Sequence, residues 1–301
     1  MQVLGIDVGG TKVEIASVVD GRALEPRQIP TPLESSSALI DGIEALAREV
    51  IEGDGPPEAI GVGVPSQIDF ATGTVIASVN IPLEGVPLRD ELERRFDIPV
   101  FVDNDANVAA LAEAEEIGSR NLLMLTLGTG VGGGVVIDGR TFRGASGRGA
   151  ELGHMVVDAN GRKCPGKTCP NTGCLEAYCS GSALEIASGR KGREVVAAAR
   201  EGDEEALGYL SELGVWLGVG IASFVNMFEP ENIVIGGGLG ASSSDLFLDT
   251  AIAEGRRRAL PAGFERVSFS LAKRGSDAGV IGAGLLAQME HTPQERTLGR
   301  G

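Results

Sequence analysis

The chain has 301 residues, 43% of them hydrophobic, which excludes a disordered or fibrous protein and sets a prior of about two domains. Its 26 basic and 42 acidic residues leave a formal charge of −16, a field that repels phosphate backbones and anionic membranes and disfavours general nucleic-acid binding. The 45 glycines are about twice the usual share of ~7% and follow no three-residue period, which excludes collagen.

The opening MQVLGIDVGG lacks the basic start of a signal peptide and reaches Asp7 after a short apolar run, so the expectation is a cytoplasmic protein. Residues 3–22 predict two strands around a Gly9-Gly10 turn, closing at Asp20-Gly21 in a hairpin turn. Leu39, Ile40, Ile43, Leu46, Ala47 and Val50 are spaced as one face of a helix over 37–52. A buried strand then ends at Pro65, and a polar loop runs through Asp69. A helix follows over 88–95, then a strand whose end carries Asp103, Asn104 and Asp105, then a helix over 106–116. From Asn121 the pattern begins again: strand, glycine turn, strand, Asp138-Gly139-Arg140. This reads as a weak internal duplication, with two α/β units each opening on a hairpin.

Further along, CLEAYCSGSALEIA (174–187) predicts one helix and 205–228 a long apolar one. The uncharged stretch Leu213–Phe228 is 16 residues, short of a membrane span. A strand is expected over 232–240 and a last helix over 279–289, with a frayed tail beyond. The expected division is a smaller α/β domain over 1–116, a larger one over 117–289 whose last helix is able to pack back on the first, and a tail over 290–301.

Three glycine turns follow buried strands: Asp7-Val8-Gly9-Gly10-Thr11-Lys12, Gly128-Thr129-Gly130 and Gly236-Gly237-Gly238. Backbone N–H groups in such turns can cradle phosphate oxygens, glycine supplying positive φ and close approach. Asp7 could orient Mg²⁺ through water, while Thr11 and Lys12 supply donors. A hydroxyl attacking a γ-phosphoryl group needs a carboxylate to take its proton, and both Asp103 and Asp105 stand at a strand end, where an aspartate can equally cap the next helix. His154, Cys164, Cys169 and Cys174 offer one imidazole and three thiols, a set suited to closed tetrahedral Zn²⁺ and unsuited to Mg²⁺. Cys179 reads as a buried small residue. Glu151, His154 and Glu176 flank this cluster as candidate polyol contacts.

The motifs Asp7–Lys12, Leu127–Gly134, Gly149–His154 and Gly173–Glu176 together resemble the ROK family of sugar kinases and sugar-responsive repressors. The resemblance implies a two-domain, actin-like ATPase (ribonuclease H-like) α/β fold around a cleft, with MgATP among the hairpins and the 236–240 loop. It implies Asp105 as the catalytic base, with Asn80, Asn104, Asp105, Glu151, His154 and Glu176 holding the sugar, and a homodimer. Two departures stand out. Cys164 and Cys169 are separated by three residues more than the family pattern, and Ser66 stands where glycine is common. The expected function is ATP-dependent phosphorylation of glucose to glucose 6-phosphate. The alternatives are a kinase for mannose, fructose or an N-acetylhexosamine, polyphosphate as donor, or a sugar-responsive regulator lacking a DNA-binding domain.

Overall fold

Apolar side chains bury both faces of β1 (Gln2–Val8) and β2 (Lys12–Val19), which pair antiparallel in full register from Gln2↔Val19 to Val8↔Val13. Asp20 and Gly21 both take positive φ, the requirement of a tight hairpin turn whose twist matches the strands, and the chain returns as β3 (Arg22–Ala23). Next come β4 (Arg27–Pro30), α1 (Ser36–Asp54), β5 (Ile60–Val64), β6 (Ser66–Asp69), β7 (Thr74–Ser78), α2 (Leu88–Phe96), β8 (Val100–Asn104) and α3 (Asp105–Ile117). The buried face of α1 consists of the six residues anticipated from spacing, and the Ser35 side chain caps its start by accepting from the Ala38 N–H.

The second half contains β9 (Leu122–Leu127), β10 (Val131–Ile137), β11 (Arg140–Thr141), α4 (Glu176–Cys179), α5 (Gly181–Ser188), α6 (Gly192–Arg200), α7 (Glu204–Phe228), β12 (Asn232–Gly236), α8 (Gly237–Ser243), α9 (Leu248–Arg258), α10 (Pro261–Phe264), β13 (Ser268–Leu271) and α11 (Ala278–His291). The computed structural model describes residues 1–166 and 168–292; most of the expected tail, from residue 293 on, lies outside the described residues.

The two main sheets share one topology. The first is ordered β3-β2-β1-β5-β8 with β4 also on β2, and the second β11-β10-β9-β12-β13. In both, the opening hairpin is antiparallel and the next two strands add in parallel. The duplication read from the two hairpins therefore extends through five strands.

The chain divides into two units. One comprises Met1–Glu115, Arg143–Gly149 and the segment from Ser276; the other comprises Glu116–Phe142 and Ala150–Gly275. In the first, Leu4, Ile6 and Val8 meet the apolar face of α1. The opposite face of the sheet takes α11 at very close range: side chains at Gly5 and Gly61 would run into the Val280 and Ala283 carbonyls. In the second unit, α7 packs its Leu210, Leu213, Leu217 and Ile221 into the core beside α9. This helix is 25 residues, longer than the uncharged stretch within it, and it is long and apolar enough by composition to cross a membrane, but its apolar face is the core of this unit.

Three expectations need correction. The polar loop expected through Asp69 is strand β6, paired antiparallel with β7. The 174–187 helix is broken at Ser180, whose extended backbone and side chain cap α5 through the Ala183 N–H. The strand expected over 232–240 stops at Gly236, and the glycines beyond it form the first turn of α8.

Candidate active site

In the first unit, Asp7 and Asp103 lie at the carboxyl ends of the parallel strands β1 and β8, with Glu14 and Asp105 close to them, where open α/β sheets bind ligands. Asp7 ends β1, in register with Glu14 on β2 and Gly63 on β5, and Gly63 pairs in turn with Asp103 on β8. A side chain at Gly279 of α11 would collide with the Asp7 carboxylate, so glycine there makes room for it. Glu14 is buried and ion-paired with Lys12. Burial, then the charges of Asp105 and Glu14, raise the Asp7 pKa to about 6 against the pull of Lys12. Burial also raises Asp105, opposed by the N–H of Ala106. Asp7 and Asp105, which carry no ion pair among the described residues, are hard oxygen donors of the kind that suits Mg²⁺.

The corner between β8 and α3 separates the two aspartates. Asp103 is spent: Oδ2 accepts from Arg143 Nε at 2.6 Å, and Oδ1 accepts from the Asn104 N–H and from Asn107 Nδ2, both at 2.8 Å. Asn104 is the helix cap, its Oδ1 accepting from the Ala106 and Asn107 N–H groups while Nδ2 donates to the Ser66 carbonyl at 3.2 Å. Asp105 is left as the first residue of α3, partly exposed, its Oδ1 accepting from the N–H of Ala106 and its carboxylate beside the Asn104 side chain, with no ion pair among the described residues. The capping role open to an aspartate here thus falls to Asn104. Ser66 is buried, its hydroxyl on the Ser78 hydroxyl at 2.9 Å. Asn80 is exposed beside Gly10.

The first hairpin is held by Thr31, which donates its hydroxyl to the Gly9 carbonyl and its N–H to the Thr11 carbonyl. Of the candidate phosphate-loop glycines (Gly9, Gly10, Gly128, Gly130, Gly236, Gly237 and Gly238), only Gly237 has positive φ. Positive φ is therefore not why the others are glycine. At Gly128 and Gly238 a Cβ would meet nothing within 4 Å, so no protein atom demands glycine there either. Both line a cavity of about 600 Å³ in the second unit, whose walls include Thr129, Val196, Ala197 and Leu239, with Lys191 and Arg193 also contributing. Sequence reasoning missed those two cations; the Ser188-Gly189-Arg190-Lys191-Gly192-Arg193 run, a basic glycine-containing loop ahead of α6, was the available signal.

The second hairpin and the cysteine cluster are joined by Glu176. Its Oε2 accepts from the Val131 N–H at 2.8 Å, an approach that a side chain at Gly130 would block. Its Oε1 accepts from the Cys164 thiol at 3.8 Å. The ligand atoms of His154, Cys164, Cys169 and Cys174 all lie within 4.8 Å of one another despite the unusual spacing. Cys164 Sγ is 3.6 Å from His154 Nδ1, and Cys169 Sγ is 3.7 Å from Cys174 Sγ. Tetrahedral zinc with ordinary bond lengths separates sulfur from nitrogen by about 3.6 Å and sulfur from sulfur by about 3.8 Å, so the donor set fits that ion. Burial and the neighbouring thiols push Cys164 up to about 12, which a bound dication would reverse. Cys179 is fully buried with its thiol on the Leu213 carbonyl, away from the cluster. Glu151 is exposed, and its carbonyl accepts from the His154 N–H.

A doubled α/β topology with a glycine hairpin opening each half defines a two-domain protein of the actin-like ATPase fold. The chain belongs to the ROK family, whose family model matches residues 3–290. It is 34% identical to a glucokinase from Halalkalibacterium halodurans, over 97% of this chain and 97% of that one. A ROK hexokinase from Thermus thermophilus superposes with a TM-score of 0.89 at 36% identity, covering 97% of this chain and 99% of that one. A ROK family glucokinase from Streptomyces griseus, solved with glucose and AMPPNP, gives 0.75 at 32% identity over 96% and 99%.

Proposed function

We propose that this protein transfers the γ-phosphoryl group of ATP to the 6-hydroxyl of glucose, with Asp105 as general base. The observation that carries the residue assignment is the division of labour at the β8–α3 corner: Asp103 is consumed by Arg143 and two amide donors, whereas Asp105 carries no ion pair among the described residues. Relatives named as glucokinases, one of them solved with glucose and an ATP analogue, support the choice of substrates.

The cavity of the second unit, with flat apolar walls at Val196, Ala197 and Leu239, suits a nucleotide base, which polyphosphate does not possess. Gly128, Thr129 and Gly130, together with Gly236, Gly237 and Gly238, present backbone to the nucleotide; Gly9, Gly10, Thr11 and Lys12 present theirs to the phosphates. Mg²⁺, when bound, neutralises charge on the transferring phosphoryl group, and Asp7 is the residue that would hold it through water. Asn80, Asn104, Glu151, His154 and Glu176 orient the sugar hydroxyls. Zinc on Cys164, Cys169, Cys174 and His154 Nδ1 would leave His154 Nε2 as a donor and fix the ring that presents it. A cytoplasmic location, expected from the N-terminal sequence, and a dimer, implied by the resemblance, belong to the same reading.

The test is a coupled ADP-release assay across a panel of hexoses, run on the wild type and on Asp105→Asn. Glucose is expected to give the highest kcat/KM. The variant should lose about 10²–10⁴ in kcat with little change in glucose affinity. Near-full turnover by the variant would remove Asp105 from the mechanism, and a preference for an N-acetylhexosamine would reassign the substrate.

A further inference from the structure

We propose that Arg143 is a positioning residue for the base, clamping the β8–α3 corner to the β6–β7 turn; this rests on the reading of Asp105 given above. The guanidinium donates through Nε to Asp103 Oδ2 at 2.6 Å, and Nη1 lies 3.3 Å from Glu290 Oε1 on α11. Its flat face sits 3.6 Å from the centroid of the Phe70 ring, a cation–π distance. Phe70 lies just past β6 and is held there a second time, because Arg89 Nη2 donates to its carbonyl at 2.7 Å and Nη1 to that of Ala71 at 2.8 Å. One planar side chain thus joins three elements, β8, α11 and the β6–β7 turn, and it is itself largely buried.

Asp103 passes this anchorage to the base. It accepts from the Asn104 N–H and from the Asn107 side chain, residues one before and two after Asp105. Asn104 then caps α3 and reaches the Ser66 carbonyl on β6. The backbone of Asp105 is therefore fixed from both sides while its carboxylate is left for chemistry. A misplacement of about 1 Å at a reacting group costs on the order of 10²-fold in rate, which is the scale on which such a clamp matters. Arg143 is also the first residue of the 143–149 segment of this unit. That segment lies tight against β6: a side chain at Gly147 would strike the Ile68 carbonyl and come within 3.1 Å of the Phe70 nitrogen.

Without Arg143, Asp103 becomes a buried carboxylate with no counter-charge, and whether it protonates or turns outward it ceases to hold Asn104 and Asn107 as it does. Arg143→Gln should therefore lower kcat about 100-fold and raise the KM for glucose, leaving the KM for ATP within twofold, since the nucleotide cavity lies in the second unit. Arg143→Lys, which restores charge without the planar fork, should recover part of the loss. The double variant Arg143→Gln/Asp103→Asn should recover to within about tenfold of wild type, because it removes the stranded charge and keeps an acceptor for the Asn104 N–H. Amide hydrogen exchange on the same proteins should show 66–80 and 103–107 losing protection in Arg143→Gln while 164–174 is unchanged. Unaltered exchange in those segments overturns the clamp, as does a kcat within threefold of wild type or a double variant no better than the single one. A wild type that phosphorylates no hexose overturns the functional reading instead, and the exchange pattern then decides the clamp on its own.

Discussion

Asp7→Asn is expected to stabilise the ligand-free protein while impairing it as a kinase. Asp7 faces Glu14 across the β1–β2 pair and feels Asp105, and burial together with those charges lifts its carboxyl from 3.8 to about 6. In the unfolded chain the group returns to 3.8, so folding binds a proton between about pH 4 and pH 6. Stability therefore falls as pH rises through that window, and the full penalty applies above it. A shift of this size corresponds to about 2–3 kcal/mol at pH 8, roughly half of that at pH 5, and under about 1 kcal/mol at pH 4. Asparagine keeps the shape, carries no charge and escapes the penalty. For a unit of about 150 residues each kcal/mol moves Tm by about 2–4 °C, so the variant should melt roughly 5–10 °C higher at pH 8. Differential scanning calorimetry of both proteins at pH 8 and pH 5 is the assay. Equal melting at pH 8, or a gain that does not shrink at pH 5, would refute the argument that burial and the neighbouring charges raise Asp7.

Gly238→Val places a side chain where no protein atom lies within 4 Å, so Tm should hold while the KM for ATP rises at least about tenfold; unchanged nucleotide kinetics would take the cavity out of the site. Metal analysis should find one zinc per chain, and Cys174→Ser or chelation should remove it and raise the KM for glucose several-fold. Because burial raises the Cys164 and Cys174 thiols, reloading the metal-free protein at pH 7 should release protons into a weakly buffered solution. Ala150 has a φ of 64°, a left-handed conformation immediately before Glu151, so Ala150→Gly should gain about 0.5–1 kcal/mol in urea unfolding.

What could be read from the chain alone was whatever depends on local periodicity. The buried face of α1 follows from 3.6-residue spacing, and both hairpins follow from apolar strands closed by Asp-Gly. The His154–Cys174 cluster was legible as a donor set, because thiols and imidazole have few other reasons to gather in so short a span, although convergence across the lengthened Cys164–Cys169 loop depends on the fold. The choice between Asp103 and Asp105 was not legible from spacing. It depends on Arg143, forty residues away, and no local pattern marks an isolated arginine as the partner of a buried carboxylate. The glycines misled in a different manner. Their number pointed to turns, yet Gly237, Gly238 and Gly240 lie in a helix and Gly9, Gly10, Gly128 and Gly130 lack positive φ; the space a glycine leaves is visible only once the neighbours are placed.

The close seat of α11 on β1 and β5 has a consequence for the order in which the protein is made. On one face of the sheet that begins at Gln2, the part around Gly5 and Gly61 is covered by a helix that begins at Ala278. At translation rates of about 5–20 residues per second, the nascent β1 and β5 wait roughly 10–50 s for that cover. Throughout that interval a surface that includes Val3, Gly5, Val18 and Gly61 is bare. The residues of the second unit, by contrast, are all synthesised before Ala278. The half of the molecule translated first is thus the half completed last, and a ribosome stalled short of residue 278 would hold a finished second unit beside an open, adhesive sheet.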